Sequence, residues 1–223
     1  MQIRPEVIKF AVRIQLYDKS MLIKPPRIIR RLMPDIIWNI ESSDCVYLTF
    51  DDGPTPGVTE WILGQLDKYD AKATFFCLGK NAEMYPDLVQ AIVDGGHKLG
   101  NHTYSHQKGW EMSLERYVED VDFANHFLHT DLMRPPYGRI SPAQMRVLSE
   151  RYKIVMANII SRDYNSRLSP RMCLKNVTQH IENGSIIVFH DSVKAFKNMH
   201  FALPRTLAYM REAGFRSRAI ELW

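Results

Sequence analysis

The chain has 223 residues, of which 45% are hydrophobic and 24% charged, and carries a formal net charge of +4. That composition fits a globular enzyme-sized chain with one sizeable core and excludes a disordered, collagenous or membrane-embedded class. The charge is uneven: Met1 to Arg31 holds eight Lys/Arg against Glu6 and Asp18, a local +6 that leaves the remainder at −2.

In chain order, residues 1–44 read as a basic, irregular extension packed on the domain that follows, broken by Pro25, Pro26 and Pro34. Such a basic arm suits a phosphate or an anionic membrane surface. Nucleic acid is not expected as a partner, because Phe10 and Tyr17 are the only aromatics within the basic stretch Met1–Arg31 for stacking on bases. Arg4, Glu6, Lys9 and Arg13 interrupt every stretch that could form a signal peptide or a membrane span. Cys45, Cys77 and Cys173 are odd in number and widely spaced, as in a reducing compartment. Together these features lead us to expect a cytoplasmic protein.

From residue 45 to 223 the pattern alternates. Short apolar runs predict strands at 45–50, 73–78, 97–101, 131–134, 153–158, 185–189 and 215–220. Helices are predicted between and after them at 57–69, 82–94, 112–128, 141–151, 170–182 and 199–213. Strictly alternating strands and helices imply an α/β domain with a mostly parallel sheet and helices outside it. Closure into a barrel is favoured over an open sheet, because polar clusters follow several different strands and must still converge.

Those clusters hold the chemistry. Val46 to Phe50 leads into Asp51-Asp52-Gly53-Pro54, Lys98 to Asn101 into His102-Thr103-Tyr104-Ser105-His106, and Ile186 to Phe189 into His190-Asp191. His102 and His106, four apart, can aim two imidazoles at one point on a helix or tight loop. With Asp51 or Asp52 they form a two-nitrogen, one-oxygen donor set that leaves a position open for water. The remaining histidines, His97, His126, His129, His180 and His200, have no such setting and read as structural or exposed.

Thr49-Phe50-Asp51-Asp52-Gly53-Pro54, His102-Thr103-x-x-His106, Arg134-Pro135-Pro136-Tyr137-Gly138 and Val188-Phe189-His190-Asp191 occur in the order that marks the polysaccharide deacetylase family, carbohydrate esterase family four, and the chain resembles that family from 45 to 220. The resemblance implies a distorted (β/α) barrel of about seven parallel strands with outer helices. It also implies a metal-dependent hydrolase that removes N-acetyl groups from the amino sugars of a polysaccharide, oligosaccharide or glycoconjugate. Asp52, His102 and His106 would hold one divalent ion, zinc by preference, although Co2+, Ni2+ or Fe2+ suit the same donors. Asp51 would act as general base, with Arg134 paired to it. The backbone N–H of Tyr137 would serve as an oxyanion donor, and His190 would protonate the departing amine with Asp163 supporting its imidazole.

Three positions depart from the family pattern: Tyr164 follows Asp163 where tryptophan is usual, Gln107 replaces a common proline, and Val188 replaces a common leucine. They bear on the substrate, not on the reaction class. Two other functions are compatible with such a site: hydrolysis of a small non-sugar amide, and carbohydrate binding without turnover. The presence of both Asp51 and His190 argues against the second.

Overall fold

A computed structural model describes residues 36–42 and 44–221. The basic segment Met1–Arg31, with the surface contact suggested for it, lies outside the described residues. From Cys45 onward the elements are β1 (Cys45–Asp51), α1 (Val58–Asp67), β2 (Ala73–Cys77), α2 (Gly79–Met84), α3 (Pro86–Asp94) and β3 (Lys98–Asn101). They continue with α4 (Leu114–Leu128), β4 (Leu132–Met133), α5 (Pro142–Leu148), β5 (Lys153–Ile154) and β6 (Ile159–Ile160). The chain ends with α6 (Pro170–Thr178), β7 (Ile186–His190), α7 (Val193–Glu212) and β8 (Arg216–Ser217). Two single-turn 3-10 segments, Gly109–Glu111 and Pro136–Gly138, lie in the loops.

Every strand pairing is parallel, in the order β5-β4-β3-β2-β1-β7-β6, with β8 extending the first residues of β1. All seven residues of β1 are buried, as expected for a central parallel strand covered on both faces. Alternate side chains of β1 take opposite sides. Val46, Leu48 and Phe50 join the core formed with α1, α6 and α7. Phe50 stands in register with Phe75 of β2 and Phe189 of β7, and the rings stack at 5.0 and 6.2 Å. On the other side, Cys45 and Tyr47 line an apolar interior with Phe76, Leu132, Val155 and Ile186. The next two residues on that side, Thr49 and Asp51, are polar. The interior of the curled sheet therefore changes from apolar to polar toward the C-terminal ends of its strands.

The helices follow from their apolar spacing. Val58, Ile62 and Leu66 bury one side of α1, and Tyr117, Val121, Ala124 and Leu128 one side of α4. Ser113, Ser141 and Ser169 cap α4, α5 and α6 by accepting from amides in the first turn.

Several boundaries differ from those read in the sequence. The helix expected over 82–94 is two helices, because Pro86 has no N–H to continue α2 and forces Tyr85 out of helical geometry (φ −131°, ψ 60°). The strand expected over 153–158 ends at Ile154. The carbonyls of Val155 and Met156 accept from the Arg134 guanidinium instead of from a strand neighbour, and the chain re-enters the sheet as the separate strand β6. The final helix begins at Val193, six residues before the expected 199, and the last strand shrinks to Arg216–Ser217.

Among the described residues β5 and β6 do not pair, so the barrel is a curled half-barrel on its hydrogen bonds. Residues 36–40 lie across that opening. Ile37 bridges Val155 in parallel sense, Asn39 bridges Ser185 in antiparallel sense, and Ile40 N–H donates to Gly184 at 3.0 Å.

Candidate active site

The C-terminal ends of β1, β2, β3, β4 and β7 converge at one end of the sheet, where parallel α/β folds hold their ligands. Asp51 ends β1 directly beside His190 at the end of β7. Asp52 follows with φ 78°, a left-handed backbone that turns its carboxylate away from the direction taken by Asp51. Two neighbouring acids thus acquire different surroundings.

Asp51 is buried and faces Arg134, whose Nη1 donates at 2.7 Å both to Asp51 Oδ1 and to Thr49 Oγ1. Arg134 Nε and Nη2 donate to the carbonyls of Val155 and Met156, each at 3.2 Å, and the guanidinium stacks 4.0 Å from the Phe76 ring centroid. A buried cation is tolerable only when paired and hydrogen-bonded, and here each guanidinium nitrogen has a partner.

Asp52 Oδ1 lies 3.1 Å from His106 Nε2 and 3.7 Å from His102 Nε2, and the donor atoms of the three residues lie within 4.8 Å of one another. Bonds of about 2.0–2.2 Å to a tetrahedral ion would separate neighbouring donors by about 3.3–3.6 Å. The cluster therefore fits a divalent metal with little movement. His102 Nδ1 sits 2.7 Å from the Arg134 carbonyl; a proton there donates to that oxygen and leaves Nε2 as the ligating nitrogen. Burial lowers the His102 pKa, which favours the neutral form a metal needs. Although burial pushes Asp52 upward, the hydrogen bond from His106 and the nearby imidazoles hold its carboxyl well below the usual range.

His190 forms the opposite wall. Its Nδ1 is 2.7 Å from Asp163 Oδ1, and its backbone N–H donates to Asp163 Oδ2 at 2.8 Å. Burial opposes the imidazolium, but the charge and hydrogen bond of Asp163, with Asp52 and Asp51 behind, raise the His190 pKa to about 9. Tyr164 sets its ring edge-on to His190, with centroids 4.8 Å apart. Tyr137 is 58% exposed at the mouth. In its 3-10 turn the amides of Gly138 and Arg139 donate to Pro135 and Pro136, and among the described residues the Tyr137 N–H has no such use.

All eight residues anticipated from the sequence thus occupy this one end of the sheet. Asp191, left outside the catalytic set, is fully buried beneath the Asp51–Gly53 turn, where Oδ2 accepts from Thr59 Oγ1 at 2.7 Å and burial raises its pKa to about 7. Thr49, Asn176 and Asn198 were not anticipated. Asn198 Nδ2 donates to the carbonyls of Asp163 and Asn165, Asn176 Nδ2 to that of Ser161, and so both fix the loop that carries Asp163. Single buried amides serving backbone carbonyls leave no sequence spacing to find them by. Of the seven non-glycine residues with positive φ among the described residues, Asp52, Thr103, His106, Tyr137 and Arg162 lie in the loops of this site. Such strained backbone gathers where surrounding structure over-determines it, as at functional sites.

Comparison with known proteins agrees with this geometry. Residues 39–153 match the family described as polysaccharide deacetylase. A peptidoglycan-N-acetylglucosamine deacetylase of Bacillus cereus is 35% identical over 154 residues, covering 66% of this chain and 56% of that protein, so the chain spans little more than half of it. A second deacetylase of the same name and organism is 28% identical over 190 residues, covering 81% of this chain and 89% of its own length. The crystal structure of the Bc1960 peptidoglycan N-acetylglucosamine deacetylase superposes with a TM-score of 0.78 at 30% identity, covering 83% of this chain and 90% of that one. With the motif residues of the three clusters brought to one end of a curled parallel sheet, the chain belongs to the polysaccharide deacetylase family.

Proposed function

We propose that this protein hydrolyses the N-acetyl group of N-acetylglucosamine residues in a glycan polymer, peptidoglycan above all, using zinc held by Asp52, His102 and His106. The observation that carries this reading is the pairing on either side of the donor cluster: a carboxylate fixed by a buried arginine, and an imidazole fixed by a buried carboxylate. Amide hydrolysis needs both a base and an acid in one site, and these two pairs supply them.

The bound cation would contribute a Lewis acid that polarises the acetyl carbonyl and acidifies water. Asp51, held by Arg134, accepts a proton from the attacking water. The Tyr137 N–H donates to the carbonyl oxygen as charge develops on it. His190, tethered through Nδ1, presents Nε2 and gives its proton to the sugar nitrogen as the carbon–nitrogen bond breaks. Acetate and a free amino sugar are the products. Tyr164 beside His190 offers a flat face to a sugar ring, smaller than the tryptophan usual there.

Acetate release should be measured from N-acetylglucosamine oligomers, from peptidoglycan and from small cyclic and linear amides, with zinc-loaded wild type, His102→Ala and His106→Ala. We expect release from the glycans by wild type, and loss of both metal and turnover with retained fold in the variants. Turnover of small amides alone would replace this reading with the amidase one. Stoichiometric metal in both variants would overturn the ligand assignment.

A further inference from the structure

The outer nitrogen of each histidine in the cluster meets a different kind of partner. His102 is buried and its Nδ1 meets the Arg134 backbone carbonyl at 2.7 Å. His106 is partly open to solvent, and its Nδ1 lies 3.3 Å from the side-chain hydroxyl of Tyr137. We propose that the Tyr137 side chain is a positioning residue for metal binding, its hydroxyl accepting from His106 Nδ1–H and so presenting Nε2 to the cation. This inference rests on the proposed function for the presence of a metal, and it adds a task for the side chain of a residue whose backbone alone was assigned one.

Three further observations support it. The Tyr137 ring packs against His106, with centroids 4.8 Å apart and planes tilted by 53°, so the hydroxyl contact belongs to a wider seat for the imidazole. Tyr137 adopts φ 58° and ψ 10°, a left-handed conformation that is costly for an aromatic residue. His106 is itself left-handed at φ 59°, anchored by its own N–H donating to Thr103 Oγ1 at 3.0 Å. Two strained backbones thus bring two side chains together at the rim, where neither is confined by the core. Lys108 Nζ lies over the Tyr137 ring, 5.8 Å from its centroid.

The consequence is mechanical. The loop that presents the Tyr137 N–H to a developing oxyanion also touches a metal ligand, so displacement of either should be felt by the other.

The test compares wild type, Tyr137→Phe and Tyr137→Ala in zinc affinity, by chelator competition, and in the visible absorption of the cobalt-substituted proteins. Tyr137→Phe keeps the ring and backbone and removes only the hydroxyl. Lost outer partners of ligating histidines weaken affinity about 10–100-fold. At this exposed position we expect about ten-fold for Tyr137→Phe, more for Tyr137→Ala, and an altered cobalt spectrum in both. Wild-type affinity and an unchanged cobalt spectrum in Tyr137→Phe would overturn the proposal while leaving the metal site intact. Failure of wild type to bind either metal would instead overturn the proposed function. Because Tyr137 is 58% exposed, the variants are expected to fold, which circular dichroism would verify.

Discussion

At the scale of single residues, the site separates two adjacent aspartates by the company each keeps. Asp51 faces Arg134, whose Nη1 it shares with Thr49, whereas Asp52 faces two imidazoles. Asp51→Asn should therefore retain metal and lose activity by about 10²–10⁴-fold, the usual worth of one acid–base group. Asp52→Asn should weaken metal binding first. Elemental analysis beside steady-state rates distinguishes them, and equal metal loss in both would merge the two roles. The second residue-scale expectation concerns pH. The His190 pKa is raised above its ordinary 6.5 to about 9, so the folded state favours the imidazolium. Its contribution to stability is then full below about pH 6.5 and is lost as pH rises through about 9. For catalysis the same shift keeps the proton donor loaded at neutral pH, and the basic limb of kcat/KM should report it. Asp163→Asn removes the charge that outweighs burial, so that limb should move to lower pH and the rate should fall. A basic limb that stays in place in this variant, with metal content intact, would leave Asp163 only a scaffolding role.

At the scale of elements, the sequence was most legible where one signal acted alone. The seven-residue buried run of β1 and the apolar spacing of α4 need no knowledge of neighbours. Legibility failed where a distant side chain decided the local backbone. Nothing within 153–158 foretells that Arg134, some twenty residues earlier, takes the carbonyls of Val155 and Met156 and ends the strand. The early start of α7 has a similar origin, since buried Asn198 in its second turn is held by the Asp163 loop. The catalytic clusters were readable because their residue types are costly at strand ends unless used; the supporting amides were not, because asparagine is ordinary anywhere on a surface. One element contact leads to a further prediction. Gly79 opens α2 against α4, where an added Cβ would come within 2.6 Å of Ala124 Cα and 2.9 Å of the Tyr104 ring. Its N–H donates to the Thr103 carbonyl at 2.9 Å, tying α2 to the loop that bears both histidines. Gly79→Ala should cost about 1–3 kcal/mol by overpacking and should also loosen metal binding, because the displaced loop carries two ligands. Thermal unfolding and chelator competition measure the two effects. Lost stability with wild-type metal affinity would show that α2 and the histidine loop move independently.

At the scale of the molecule, the C-terminal end of the curled sheet does chemistry, and residues 36–40 lie across its lateral opening between β5 and β6, bridging Val155 just after β5 and Ser185 just before β7. In the sequence, residues 1–44 read as a basic, irregular extension packed on the barrel, and nothing there names partners for Ile36, Ile37 or Ile40. The structure shows what they meet: Ile36 is buried in the cluster around Met133, Ile140 and Leu148, and Ile37 N–H donates to the Ile154 carbonyl at 2.9 Å. Among the described residues no helix is long and apolar enough to cross a membrane. Gly184 is where the spanning segment meets the sheet. It has φ +80°, donates its N–H to the Cys45 carbonyl at 2.7 Å, and leaves no room for a Cβ against the Ile40 carbonyl. Gly214, at the end of α7, has the same φ of +80° but nothing within 4 Å of an added Cβ. The two glycines therefore separate backbone strain from crowding. Gly214→Ala should lose about 1–2 kcal/mol, the cost of a left-handed non-glycine residue, or roughly 2–8 °C in Tm for a domain of this size. Gly184→Ala should lose clearly more, because it also drives residues 36–40 from the sheet. Neither position touches the catalytic end, so kcat should hold for both once folded. Equal Tm losses in the two variants would mean that the spanning segment contributes nothing to closing the barrel. A selective loss at Gly184 would make these few residues part of the fold on which the catalytic end depends.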